Sequence, residues 1–459
     1  MIQTSRRHFL QSASAFAVGI AGLETFTQRT NARNVTGYGP LQKDPAKILD
    51  LPAGLSYRVI STSGQKMDDG HTLPGSPDGM AAFPGPNGST IVVRNHEISV
   101  GAKPATGPFG EANATLKSIP AASIYDTGTR GEPSLGGTST FVFNTKTQSI
   151  EKQFLSLAGT IRNCAGGPTP WNSWITCEET VLTAGRGLAK DHGFNFEVPA
   201  TANPALADPV PLKDMGRFNH EAIAVDPNSG IVYETEDRPD SLIYRFIPKV
   251  PGKLVEGGRL QVLRIADRRS LDTRNWTQNT MRTGEPRAVK WVDINNVDSG
   301  SDLLRYRGFN DGAARFARGE GMWYTKGSIY FACTNGGRTK NGQIFRYQIS
   351  PDEGGPKESE NPGELELFIE PNDAALIDMC DNLTVAPWGD LVICEDGKGE
   401  QNLAGVTPDG GVYRLGHNAG NESEFAGACF SPDGTTLFVN IQKTGQTLAI
   451  TGSWQNRRA

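Results

Sequence analysis

Acidic residues recur in tandem where short apolar runs stop: Thr176-Cys177-Glu178-Glu179, Thr235-Glu236-Asp237 and Cys394-Glu395-Asp396, with Asn95-His96-Glu97 as a fourth case. Matching runs open on further acids, Asp78, Glu221, Glu320, Asp381 and Glu424, and one opens on Cys164. Carboxylates delivered by separate repeats to corresponding positions predict one shared, metal-rich centre. Hard oxygen ligands favour calcium, and a thiolate among carboxylates admits iron. So many acids around one point repel one another. Burial then raises their pKa values or destabilises the fold, unless bound cations remove the cost.

The elements that must position these residues are six repeated hairpins. They span residues 78–97, 163–179, 220–237, 320–335, 381–396 and 425–442. Each has an apolar strand, a turn, a second strand and a polar stop. Turns such as Asp226-Pro227-Asn228-Ser229-Gly230 and Ser431-Pro432-Asp433-Gly434 carry the residues hairpins need. Third strands are expected at 241–246, 343–347 and 411–415, and fourth strands at 260–263 and 364–368. This predicts an all-β fold, a six-bladed β-propeller forming one domain over residues 36–459. Residues 55–60 are expected to close the last blade. In such a ring the residue opening a hairpin and the residue closing it share one rim. Long connections at 101–136, 184–216 and 267–319 read as loop insertions covering that metal-bearing face.

The bulk composition agrees. Gly 54 and Pro 29 in 459 residues suit many tight turns, and a formal net charge of −5 offers no field for nucleic acid. Residues 1–35 read as a twin-arginine signal peptide with a disordered tail. Ser5-Arg6-Arg7-His8-Phe9-Leu10 precedes an apolar stretch at 13–23 that is too short for stable membrane insertion. The expected partner is the twin-arginine export machinery, the expected location is the periplasm or outside the cell, and a monomer is expected. Of the six cysteines, Cys177, Cys333 and Cys394 sit near the ends of like strands and read as small buried residues between blades.

The same residues resemble the PhoX-type alkaline phosphatases. The resemblance runs through Asn163-Cys164-Ala165-Gly166-Gly167-Pro168-Thr169-Pro170-Trp171 and Trp174-Ile175-Thr176-Cys177-Glu178-Glu179. It continues in Gly216-Arg217-Phe218-Asn219-His220-Glu221, Glu234-Thr235-Glu236-Asp237-Arg238 and Arg318-Gly319-Glu320-Gly321. Asp381-Asn382-Leu383-Thr384-Val385 and Glu424-Phe425-Ala426-Gly427-Ala428-Cys429 complete it, so that it covers roughly 50 to 445. The resemblance implies hydrolysis of small phosphate monoesters at a centre of Fe3+ and Ca2+. It implies Cys164 as the thiolate ligand and Glu97, Glu178, Glu221, Glu236, Glu320, Asp381 and Glu395 as carboxylate ligands. Cys164, Glu97, Glu221 and Glu320 are the expected catalytic set with Arg217 and Arg238, and Arg217, Arg238, Arg318 and Arg338, which lie beside the motifs, are the arginines expected to hold phosphate oxygens. His96 and His220 read as structural imidazoles between blades. Alternatives are another metal-dependent propeller hydrolase, acting on phosphodiesters or lactones, and a propeller whose metals only hold blades together.

Overall fold

The structure, a computed structural model, describes residues 32–458. The twin-arginine segment lies outside the described residues. The all-β class expected from the sequence holds. The one α-helix among the described residues is the seven-residue Leu304–Asn310.

Strands follow one another as antiparallel meanders. The first unit is Pro77–Pro84, Thr90–His96, Gly136–Asn144 and Ser149–Thr160, and the second is Asn163–Pro168, Ser173–Glu178 and Asn195–Pro199. The third is His220–Val225, Val232–Glu236, Ile243–Pro248 and Gly258–Ile265. The fourth is Gly319–Thr325, Ser328–Cys333, Gln343–Gln348 and Glu364–Ile369. The fifth is Cys380–Val385, Leu391–Glu395, Asn402–Val406 and Gly411–Asn418. The sixth joins Phe425–Phe430, Thr436–Ile441 and Gln446–Gly452 to Leu55–Thr62 from the other end of the chain.

The first strand of each unit touches the first strands of its two neighbours, and the sixth touches the first, so these strands form a closed ring. The core is distributed to match. One apolar cluster fills each gap between adjacent units: Ala81 and Val93 against Trp174 and Phe196, Cys177 against Ile223, Tyr233 against Phe331, Phe368 against Ile393, Val392 against Phe425, and Phe141 against Phe438. A strand sandwiched on both faces buries nearly every side chain. This explains why residues 91–93 and 391–394 are continuous apolar runs rather than alternating ones, and why Arg94, Asn95 and His96 are buried in the same strand. Cys177, Cys333 and Cys394 lie fully buried in these clusters.

Two features depart from a plain repeat. Arg287–Asp293, inside the third long connection, pairs with both Gly258–Ile265 and Glu364–Ile369 and fuses two units into one nine-stranded sheet. Arg33–Asn34 runs parallel to Gly411–Val412, so strand pairing begins inside the stretch that the sequence assigns to a disordered leader.

Candidate metal centre

The ring repeats one backbone device at its rim. In each unit a lead residue just before the first strand accepts a hydrogen bond from the N–H of the residue that closes the second strand. The lead residues are Ser76, Arg162, Asn219, Arg318, Met379 and Glu424; their donors are Glu97, Glu179, Asp237, Thr334, Asp396 and Gln442, at 2.9 to 3.3 Å. Two residues past the lead, pairing within the hairpin slips in the first five units, and in the sixth it slips one residue later, after Ala426. A bulge of this kind re-aims a side chain that the pleat would otherwise hold against a neighbour. It presents Asp78, Cys164, Glu221, Glu320 and Asp381; the sixth unit has Ala426 in this register. Close packing of the bulged strands explains the glycines beside them. A Cβ on Gly79 would lie 2.7 Å from Ala165 Cα, and one on Gly321 would lie 2.6 Å from Leu383 N.

These residues converge. Ligand atoms of Asp78, Glu97 and Cys164 lie within 4.8 Å of one another, as do those of Cys164, Glu179 and Glu221. The same holds for Glu221, Glu320 and Asp381, and for Asp381, Asp396 and Glu424. Shared members make the four groups one continuous cluster. Its electrostatics are unfavourable throughout. Burial, then the charges of Glu179, Asp381 and Asp78, pushes the Glu221 carboxyl well up. Burial followed by Asp237 raises Glu320. Burial and neighbouring acids push Asp381 up to about 7, Glu179 to about 8 and Glu424 to about 10. The Cys164 thiol is raised by burial and then by Asp78 and Glu221. Glu221 is fully buried, and neither of its carboxyl oxygens has a hydrogen-bond partner; Asp381 Oδ1 is also unpartnered.

Of the residues expected from the sequence, Glu97, Cys164, Glu221, Glu320 and Asp381 are brought together, and Glu178, Glu236 and Glu395 are not. Glu178 accepts from His192 Nδ1 at 2.6 Å, Gly193 N at 2.8 Å and Ile161 N at 3.0 Å. Glu236 accepts from Tyr244 Oη at 2.9 Å and faces Arg305 at 3.5 Å. Glu395 accepts from Asn402 Nδ2 at 2.8 Å and Arg414 Nη1 at 2.9 Å. The correction is one residue along the chain. Each second strand ends on the first acid of its tandem, and side chains one apart in a strand face opposite ways. The first acid turns outward into packed structure, so the second, Glu179, Asp237 or Asp396, turns to the rim. The second acids were visible in the sequence; their facing was not.

Two of the expected arginines, Arg217 and Arg238, also lie elsewhere, whereas Arg318 does reach the cluster. Arg217 is buried and donates to the carbonyls of Val181 at 2.6 Å, Leu182 at 3.0 Å and Ser299 at 3.0 Å, tying the segment after Ser173–Glu178 to the third long connection. Arg238 pairs with Asp302 at 3.4 Å. The basic groups on the cluster are instead Arg318, which donates to Asp237 Oδ1 at 2.7 Å and Glu320 Oε1 at 2.8 Å, and Arg162, which contacts Glu179 and reaches Glu97 at 3.0 Å. His96 is bonded to Ser139 and the Gly75 carbonyl; His220 is bonded to the Gly216 carbonyl and lies 3.2 Å from Glu234.

Smaller groups hold the cluster in place. Gln442 Nε2 donates to Asp78 Oδ2 at 2.7 Å and Glu97 Oε2 at 3.0 Å. Asn95 Nδ2 donates to the carbonyls of Cys164 and Ala165, while its oxygen accepts from Trp174 Nε1 at 2.8 Å. The donor set is therefore many rigidly held carboxylates and one thiol, with unpartnered oxygens at its middle. That set fits several hard cations and one that accepts a thiolate.

The search of curated proteins found no match. Among solved structures, PhoX of Pseudomonas fluorescens, in complex with the transition-state analogue vanadate, is similar at TM-score 0.63 and 19% identity, covering 92% of this chain and 97% of that one. A gluconolactonase from Xanthomonas campestris is similar at TM-score 0.39 and 10% identity, covering 90% and 98% of the two chains. The profile of the alkaline phosphatase PhoX family matches residues 36–445, and the chain belongs to that family.

Proposed function

We propose that this chain is an exported, metal-dependent phosphatase. It hydrolyses phosphate monoesters at a multinuclear centre of Fe3+ and Ca2+ set in the channel of a six-bladed propeller. The observation that carries this reading is Glu221, wholly buried, surrounded by acids and without a partner for either oxygen. Membership of a phosphatase family supports the chemistry. The leader at residues 5–23 supports export; among the described residues no helix is long and apolar enough to cross a membrane.

Asp78, Glu97, Cys164, Glu179, Glu221, Glu320, Asp381, Asp396 and Glu424 would hold the cations. When bound, the metals supply charge neutralisation and Lewis acidity at phosphoryl oxygens. The chain's own groups do the positioning. Gln442 fixes the carboxylates of Asp78 and Glu97, and Asn95 fixes the bulge that carries Cys164. Arg318, clamped by Asp237 and Glu320, aims positive charge at the rim, where a phosphate dianion would approach. Without cations the acidic rim repels that dianion, so substrate binding is strictly metal-dependent.

The test is hydrolysis of an aryl phosphate monoester by the metal-replete protein at alkaline pH, beside an aryl diester and a lactone. The reading predicts turnover of the monoester that a chelator abolishes and calcium restores. A metal-replete protein that cleaves only the diester or the lactone, or none of the three, contradicts it.

A further inference from the structure

We infer that Arg162 is a second substrate-binding arginine, acting with Arg318, and that the two guanidinium Nη1 groups take two oxygens of the phosphoryl group from either side of the third unit. The inference rests on the phosphatase reading above. Of the six equivalent lead positions, held alike by the rim hydrogen bonds, only Arg162 and Arg318 are basic; the others are Ser76, Asn219, Met379 and Glu424. The second and fourth units both touch the third, so the two arginines flank the unit that supplies Glu221. Both have left-handed backbones, at φ 48° and 49°, a conformation shared by the leads Ser76 and Met379 and so set by the rim device rather than by the arginine itself.

The two side chains are engaged in the same way. Arg162 donates from Nε to the Glu179 carbonyl at 3.0 Å and turns Nη2 to the carboxylates of Glu179 and Glu97. Arg318 donates from Nε and Nη2 to Asp237 at 2.7 and 3.0 Å, and from Nη2 to Glu320 at 2.8 Å. No hydrogen-bond partner is found for Nη1 of either arginine among the described residues. The side chains are 35% and 26% exposed, whereas Glu179 and Glu320 beside them are at most 10% exposed. Each guanidinium is thus fixed along one edge by acids and presents its other edge outward. A fixed planar donor facing solvent over a cation-binding centre suits a tetrahedral oxyanion, since a charge-assisted fork is both strong and directional. A residue that only braced its neighbours would have no reason to keep one arm of the fork accessible.

The experiment compares metal-replete wild type with Arg162→Gln, Arg162→Lys and Arg318→Gln. It reads inorganic phosphate binding by calorimetry, iron and calcium per chain, and kcat/KM on an aryl phosphate. Arg162→Gln is expected to weaken phosphate binding and lower kcat/KM by roughly 10- to 100-fold, as for loss of one charged hydrogen bond, with metal content unchanged. Arg318→Gln is expected to do the same, and Arg162→Lys to recover part of the loss. Phosphate affinity within about twofold of wild type in Arg162→Gln overturns the inference. So does a loss of affinity that tracks a loss of metal, which makes Arg162 a brace for Glu97 and Glu179 only. Should Arg162→Gln not fold, Arg162→Lys carries the comparison on the same two criteria. Phosphate binding is read apart from turnover. A wild type that binds phosphate without cleaving esters therefore sinks the phosphatase reading and still tests Arg162, and a wild type that binds no phosphate sinks the inference.

Discussion

Two layers of acid lie one residue apart in this ring, and they differ in what surrounds them. Glu178, Glu236 and Glu395 are buried, and burial raises Glu395 and pushes Glu236 up to about 7, but each is supplied with imidazole, phenol, amide or guanidinium partners, with only Glu236 Oε1 among their oxygens left without one. Glu179, Asp237 and Asp396, together with Asp78, Glu221, Glu320 and Asp381, face one another. Most of this second set is raised in pKa by burial and mutual charge, and Glu221 has no partner at all. Burying a carboxylate is tolerable when protein donors satisfy it, and the first layer is built that way. The second layer has Arg162, Arg318 and Gln442 at its edge, but its middle, both oxygens of Glu221 and Oδ1 of Asp381, is left without partners, which a fold sustains when something outside the chain supplies the positive charge. The difference separates acids that hold the structure from the acids proposed to hold cations.

The sharpest way to break this comparison is to neutralise the unsatisfied layer at its middle. Glu221→Gln should lower phosphatase activity by roughly 10³-fold, corresponding to several kcal/mol of charge stabilisation. In chelator the same variant should unfold at higher denaturant than wild type, because it removes repulsion. A Glu221→Gln protein destabilised in chelator would place Glu221 in the satisfied layer after all. Glu178→Gln should do the reverse. It leaves His192, buried between Glu178 at 2.6 Å and Asp126 at 3.1 Å, without one counter-charge. A loss of about 3 kcal/mol in denaturant unfolding is expected, in the range for breaking a buried ion pair.

The two layers also predict different responses to pH. In the metal-free protein the unsatisfied carboxyls are raised on folding. Their favourable contribution is therefore complete below the ordinary carboxylate pKa near ~4 and is lost as pH rises through about 7, 8 and 10 at Asp381, Glu179 and Glu424. Unfolding midpoints in chelator should fall across that range, and those of the metal-replete protein should not. His192 is raised to about 9 by Glu178 and Asp126 against the downward pull of burial. Its contribution holds below the usual histidine pKa near ~6.5 and fades as pH passes about 9, with or without metal, and Glu178→Gln should remove that step. The smallest effect belongs to Arg217. Arg217→Lys gives up most of three carbonyl contacts and should cost about 1–2 kcal/mol of stability with KM unchanged. A raised KM would return Arg217 to the substrate.

Much of this was legible in the sequence because the hairpin is a strong local signal. Turn residues such as Asp226-Pro227-Asn228-Ser229-Gly230 and paired apolar runs located the strands, and residues 55–60 were expected to close the last unit, as they do within the strand Leu55–Thr62. The acids that open each strand were legible for the same reason. Which acid of Glu178-Glu179, Glu236-Asp237 or Glu395-Asp396 faces the rim was not, because a bulge and a strand end fall there and both interrupt the period of two on which facing is read. The sixth unit misled in a related way. Glu424 looks like another opening acid, yet it occupies the lead register of Arg162 and Arg318, and Ala426 stands where the opening ligand would be. Arg162 itself carried no signal, since one arginine before Asn163-Cys164 is unremarkable until the backbone register is known.

The central claim is that the unsatisfied acids form a centre for several cations. Elemental analysis of the exported protein as purified tests it most directly. The account predicts iron together with more than one calcium per chain, and loss of both from Glu221→Gln but not from Arg217→Lys. A protein that carries neither metal, yet hydrolyses an aryl phosphate undiminished in chelator, would contradict it.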